Sequence, residues 1–235
     1  MHVPLTINDH LDRATTTYGD RIGLIDEPDQ PAASLGSITY REAAALADAQ
    51  AAMLDRSEVG VGDRVAILSH NSARMLLSFF GVSASGRVLV PINFRLSRME
   101  VAYILEHSGA RTLLVDPELE ETVAGLDTDR TLVLGRDDDQ IYLHGVEPEP
   151  WAADETATAT LNYTSGTTAR PKGVMLDHRS MWLNATTMGW HSGMTDRDVY
   201  LHTLPLFHVN GWGMPFAAAA MGVPQVLLRK VDGHE

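Results

Sequence analysis

The 235-residue sequence contains no cysteine. That absence excludes disulfides, thiol nucleophiles and cysteine-ligated zinc or iron–sulfur sites. Basic residues are also scarce: 18 Lys and Arg stand against 31 Asp and Glu, a formal net charge of −13. An extended nucleic-acid surface needs a basic face to neutralise phosphates, and an anionic lipid surface needs a polybasic patch, so neither partner is expected. No run approaches the ~18 uninterrupted apolar residues of a spanning helix. The opening Met1-His-Val-Pro-Leu-Thr6 has neither a basic nor an apolar signal region, so no secretory leader is read there and a cytoplasmic setting is expected. Internal repeats and low-complexity tracts are absent.

What remains is the composition of a globular protein, 44% hydrophobic and 21% charged, long enough to bury a substantial core. Short strand patterns alternate with helical ones. Strands are expected at 22–26, 36–40, 64–68, 88–90, 112–115, 131–134, 157–163, 174–176, 199–204 and 225–228. Helices are expected at 7–18, 40–54, 72–83, 98–107, 179–190 and 215–221, with a weak one at 118–125 and Asn71 capping the third. Asp137-Asp-Asp139 and the proline-bearing acidic stretch 146–155 read as a solvated surface connection. A strand followed by a helix, repeated, points to an α/β fold with helices packed on mostly parallel sheets.

The segment that carries chemistry is Tyr163-Thr-Ser-Gly-Thr-Thr-Ala-Arg-Pro-Lys-Gly-Val174. Thr164, Ser165, Gly166, Thr167 and Thr168 are consecutive hydroxyl or glycine residues, and Lys172 follows four residues later. Small residues let the backbone approach a ligand, hydroxyls and amides concentrate donors, and the ammonium balances negative charge. This is the chemistry of holding a phosphate chain. The string is not a Walker A loop. Counting from Gly166, the sixth residue is Pro171, and Lys172 is followed by Gly173 rather than a hydroxyl for magnesium. Arg170-Pro-Lys-Gly173 alone is turn chemistry, but few structural turns need the five preceding residues.

The whole string resembles the signature loop of the adenylate-forming superfamily, [YF]-[ST]-[ST]-G-[ST]-[TS]-G-x-P-K-G-[VA]. It departs at Ala169, where glycine is usual and where alanine disfavours positive φ. Leu204-Pro-Leu-Phe-His-Val-Asn-Gly211 is similar to the family's next motif, and Gly86-Arg-Val-Leu-Val-Pro-Ile-Asn-Phe-Arg95 with Glu100 is similar to an architectural stretch before the loop. The resemblance to acyl-CoA synthetases covers nearly the whole chain.

This resemblance implies a ligase that uses ATP, Mg²⁺ and coenzyme A on a small carboxylate, a fatty or aryl acid. Thr164, Ser165, Gly166, Thr167, Thr168 and Lys172 would hold the nucleotide. His208, Val209, Asn210, Gly211 and Trp212 would border the acyl group, with His208 and Lys172 in the catalytic role, and no residue is assigned to a metal ion. A carrier-protein thiol or an amine remains open as the acceptor, as does a non-catalytic nucleotide- or partner-binding fragment. Family enzymes are roughly twice as long, and their Tyr-Gly-x-Thr-Glu and Thr-Gly-Asp segments have no counterpart here. Residues 1–235 are therefore expected to be a partial N-terminal adenylation domain, with the second subdomain incomplete and the C-terminal lid domain absent. Such a piece is expected to be inactive alone, its partner being the remaining half of the enzyme as a second polypeptide or another copy of itself.

Overall fold

The computed structural model describes residues 3–164 and 170–230. Along the chain run α1 (Asn8–Tyr18), β1 (Ile22–Asp26), β2 (Ser37–Thr39), α2 (Tyr40–Arg56), β3 (Arg64–Leu68), α3 (Ala73–Gly81), β4 (Val88–Ile92), α4 (Arg98–Ser108) and β5 (Thr112–Val115). There follow α5 (Glu120–Val123), β6 (Arg130–Val133), α6 (Asp138–Ile141), β7 (Thr158–Thr164), β8 (Lys172–Asp177), α7 (His178–Ser192), β9 (Tyr200–His202), α8 (Val209–Trp212), α9 (Met214–Met221) and β10 (Gln225–Leu227). Six strands form one sheet in the order β6-β5-β3-β4-β7-β8, parallel except for the β7–β8 hairpin. Four form a second sheet, β2-β1-β10-β9, in which only β2 is antiparallel.

The central strands β3, β4 and β5 of the larger sheet are buried on both faces, and the two-residue period of a strand divides their side chains between two cores. Val65 and Ile67 of β3, Leu89 of β4 and Leu114 of β5 join the core shared with α1, α2, α3, α7 and α9. Their neighbours Ala66, Leu68, Val90, Leu113 and Val115 enter the core beneath α4. Helices α2 and α3 thus lie between the two sheets, in contact with each other and with β1. The packing face of α2 is built from Ala43, Ala47, Ala51 and Leu54, whose small size lets the helices approach closely.

Two expectations need correction. Ser72, not Asn71, caps α3: its hydroxyl accepts from the Met75 amide at 3.2 Å, and the Asp26 carboxylate accepts from the Ala73 amide at 2.9 Å. Asn71 is used elsewhere, as described below. The Asp137–Asp139 stretch is also more than a solvated connection, because Asp138 opens α6 and pairs with Arg74 of α3. The Arg74 side chain is 4% exposed, its Nη2 donates to Asp138 Oδ2 at 2.6 Å, and its Nη1 donates to the Ala33 carbonyl at 2.6 Å. A guanidinium in so buried a place requires a carboxylate, which an acidic loop composition does not reveal. The weak helix expected at 118–125 is a 3₁₀ turn (Pro117–Leu119) leading into the single turn α5.

Three histidines are neutral structural residues. Burial lowers His10, His178 and His202 from the ordinary 6.5 to about 4. The unfolded chain therefore binds more protons than the folded chain between those values, and stability rises with pH across that window. The unfolding midpoint should fall as pH drops from 6.5 towards 4, with proton uptake on unfolding; a flat profile from pH 6.5 to 5 would contradict this burial. Replacing Asp138 with alanine leaves the Arg74 charge unpaired and should cost about 2–3 kcal/mol in urea unfolding, towards the low end because water reaches Asp138. An unchanged urea midpoint would contradict the assignment.

Candidate functional site

The parallel strands β3, β4, β5 and β7 all end at one edge of the larger sheet, where ligands bind in open α/β sheets. At that edge β7 turns back into β8, with Tyr163 opposite Gly173 and Thr164 opposite Lys172. Thr164 and Lys172, both exposed, face this edge as the last and first residues of the hairpin arms. Ser165, Gly166, Thr167, Thr168 and Ala169 lie outside the described residues, as does the side chain of Trp212.

Both arms are held by α4. His107 Nδ1 lies 2.8 Å from the Tyr163 hydroxyl, whose pKa burial pushes up to about 12, and the Tyr103 hydroxyl donates to the Pro171 carbonyl at 3.4 Å. The Arg170 guanidinium sits 5.6 Å from the centre of the Tyr103 ring. Of these α4 residues, Tyr103 stands outside the sequence motifs, while His107 falls in the 104–110 stretch read as architectural.

The second motif crosses from β9 to α9 without regular structure. Irregular backbone finds its hydrogen-bond partners outside helices and sheets, and Asn71, 5% exposed, supplies three of them. Its Oδ1 accepts from the Leu206 amide at 2.8 Å, and its Nδ2 donates to the His202 and Leu204 carbonyls at 3.2 and 3.0 Å. Phe207 packs edge-on against Phe94 at 5.3 Å, and Phe94 stacks with His70 at 4.2 Å, linking the motif to the ends of β3 and β4.

Beyond Phe207, the backbone is left-handed at Val209 (φ 47°), Asn210 (φ 52°) and Gly211 (φ 58°), so α8 is a coiled turn rather than a regular helix. Positive φ at a β-branched residue is costly and persists only where its surroundings enforce it. At Gly213 (φ 77°) a Cβ would lie 2.3 Å from Asn184 Oδ1, so the position admits only glycine. His208 and Val209 are exposed, whereas Asn210 and Gly211 are buried. Val209, Asn210 and Gly213 form one side of a mainly apolar cavity of about 250 Å³, with Met181 and Met188 of α7 and Phe216 of α9 opposite. The structure thus brings Val209 and Asn210 to one cavity and places Thr164 and Lys172 together at the mouth of the hairpin. No group of three or more His, Asp or Glu side chains suited to a metal ion occurs among the described residues.

The family model described as "AMP-binding enzyme" matches residues 11–234. The chain belongs to that family. Among curated relatives, it is 39% identical over 204 residues to the 4-hydroxybutyrate–CoA ligase 2 of Metallosphaera sedula, covering 78% of this chain and 37% of that protein. It is also 39% identical over 181 residues to a long-chain-fatty-acid–CoA ligase of Thermus thermophilus, covering 72% and 34%. Among solved structures, a long-chain-fatty-acid–CoA ligase of Archaeoglobus fulgidus superposes with a TM-score of 0.84 at 25% identity, over 99% of this chain and 49% of its own. The O-succinylbenzoate–CoA synthetase of Bacillus subtilis, solved with ATP and magnesium, gives 0.80 at 30% identity over 96% and 58%. The chain thus spans just over a third of these curated relatives and about half of these solved chains. Its fold is the α/β architecture of these solved acyl-CoA ligases. No helix among the described residues is long and apolar enough to cross a membrane.

Asn71→Ala would strip partners from three backbone groups at once. It should lower stability by about 2–3 kcal/mol and speed hydrogen exchange at the Leu206 amide. Unchanged exchange there would show that the crossing segment is held by other contacts.

Proposed function

We propose that the chain forms the N-terminal part of an ATP-dependent carboxylate-activating enzyme that makes an acyl-adenylate and then an acyl-CoA. The observation that carries this reading is the placement, beside one another in the fold, of the signature hairpin at the carboxyl edge of the parallel sheet and the apolar cavity behind the Val209–Gly211 turn. In the first step a carboxylate oxygen bonds to the α-phosphorus of ATP and pyrophosphate leaves. In the second, the coenzyme A sulfur bonds to the acyl carbon and AMP leaves. Negative charge grows on the phosphates in the first step, where preorganised donors lower the barrier most.

In this reading Thr164 and the hydroxyls and amides of Ser165, Gly166, Thr167 and Thr168 hold the phosphates, and Lys172 offsets their charge. His208 stands between nucleotide and acid, while Val209, Asn210, Gly211 and Trp212 border the acyl group. Magnesium enters with the nucleotide. The cavity suits a short alkyl or aryl carboxylate, and its mainly apolar wall favours the acid's carbon skeleton over water. Residues 1–235 act as a partial adenylation domain in a cytoplasmic setting.

Titration of the full chain with Mg-ATP should give saturable binding, and Lys172→Ala should weaken it about tenfold through the loss of one charge-assisted contact. Absence of binding at millimolar nucleotide would overturn the proposal.

A further inference from the structure

Three side chains that no motif singles out as a group form a closed ring between the two halves of the site. The Thr160 hydroxyl donates to Asn162 Oδ1 at 2.9 Å, Asn162 Nδ2 donates to Asn210 Oδ1 at 2.8 Å, and Asn210 Nδ2 donates back to the Thr160 oxygen at 2.9 Å. Each group donates once and accepts once around the ring, an arrangement in which the bonds polarise and strengthen one another. All three residues are buried, Thr160 at 0%, Asn162 at 6% and Asn210 at 2% exposure. Asn162 also reaches the Phe207 carbonyl at 3.5 Å, and Met181 Sδ of the cavity wall lies 3.7 Å from the Thr160 hydroxyl.

The ring joins the two parts of the site that must act together. On β7 the two-residue period puts Thr160, Asn162 and Thr164 on one face, so the ring is rooted in the strand that presents the first hydroxyl of the phosphate loop. Its third member is the middle of three consecutive left-handed residues, a conformation that needs enforcement at Val209. An asparagine tolerates positive φ, but that tolerance alone does not require its amide to be buried and doubly bonded.

We propose that Thr160, Asn162 and Asn210 are positioning residues that lock the wall of the acyl cavity to the phosphate-loop strand, so that binding of the carboxylate and of the nucleotide is energetically coupled. The inference rests on the functional reading given above and adds a specific device to it. Asn210 then holds the turn as well as bordering the cavity, and Thr160 and Asn162 act through it.

The test measures coupling rather than stability. The full chain is titrated calorimetrically with hexanoate, with and without saturating Mg²⁺ and α,β-methylene-ATP. In the unaltered chain the nucleotide should raise hexanoate affinity about tenfold, within the usual range of site–site coupling. Thr160→Val keeps the β-branched shape and removes the hydroxyl. It should leave affinity for nucleotide alone within about twofold while reducing the enhancement below about threefold. Thr160→Ser, which restores the hydroxyl, should restore the coupling. Asn210→Gly, which keeps the left-handed turn but removes the amide, is the second variant and should lose it. Full coupling retained in folded Thr160→Val or Asn210→Gly overturns the inference and leaves the proposed function standing, as does uncoupled binding of both ligands by the unaltered chain. Binding of neither ligand overturns both.

Discussion

The site depends on holding one stretch of irregular backbone, the crossing from β9 to α9, whose buried anchor points are His202, Leu206 and Asn210. Buried amides and carbonyls outside helices and sheets must be paired by side chains, or each costs about 1–3 kcal/mol. Two asparagines meet that demand from opposite sides. Asn71, just past the end of β3, takes the segment at His202, Leu204 and Leu206. Asn162, within β7, reaches the Phe207 carbonyl at 3.5 Å and bonds the Asn210 side chain. Because both are rooted in the larger sheet, the motif around His208 is held against the same frame that carries the Thr164–Lys172 hairpin.

The same frame joins the two sheets. Arg229, just beyond β10, has a side chain 6% exposed, and it donates to Asp116 beyond β5 at 2.6 Å and to Glu118 at 2.6 Å. Its amide is accepted by Glu27 beyond β1 at 2.8 Å. A charge this deep is weak evidence of net stabilisation, but removing one of its partners would leave it buried and unpaired. It fixes how the carboxyl ends of β1, β5 and β10 meet. The His70–Phe94–Phe207 aromatic line and the buried Tyr40, whose hydroxyl donates to the Val223 carbonyl at 2.6 Å, pack against that frame.

Local patterning made most of the fold legible. Short apolar runs placed β1, β3 and β5 at their observed limits, Ile22–Asp26, Arg64–Leu68 and Thr112–Val115, because those strands are flanked by turn residues. The Tyr163–Val174 string and the Leu204–Gly211 motif stand out in the sequence because each is contiguous. The residues that hold them were not, because their partners are far away in sequence: Asn71 and Leu206, Asn162 and Asn210, Arg74 and Asp138. Asn71 has the local signature of a helix cap, and only the long-range structure shows that Ser72 takes that role. One usable signal was present in the sequence. Asn162 stands in the strand expected at 157–163, and a polar side chain on a strand covered by helices demands a partner.

The central claim is that the β7–β8 hairpin takes the phosphates while the cavity behind the Val209–Gly211 turn takes the acid. Amide chemical-shift mapping of the isotopically labelled chain tests both assignments at once. With Mg²⁺ and a non-hydrolysable ATP analogue, the account expects the largest shifts between Thr164 and Lys172. With a short carboxylate, it expects them at Met181, Val209 and Gly213. Nucleotide shifts centred instead on the polar cavity of about 320 Å³ at the opposite strand ends, where Arg64, Arg111 and Arg130 converge, would contradict it.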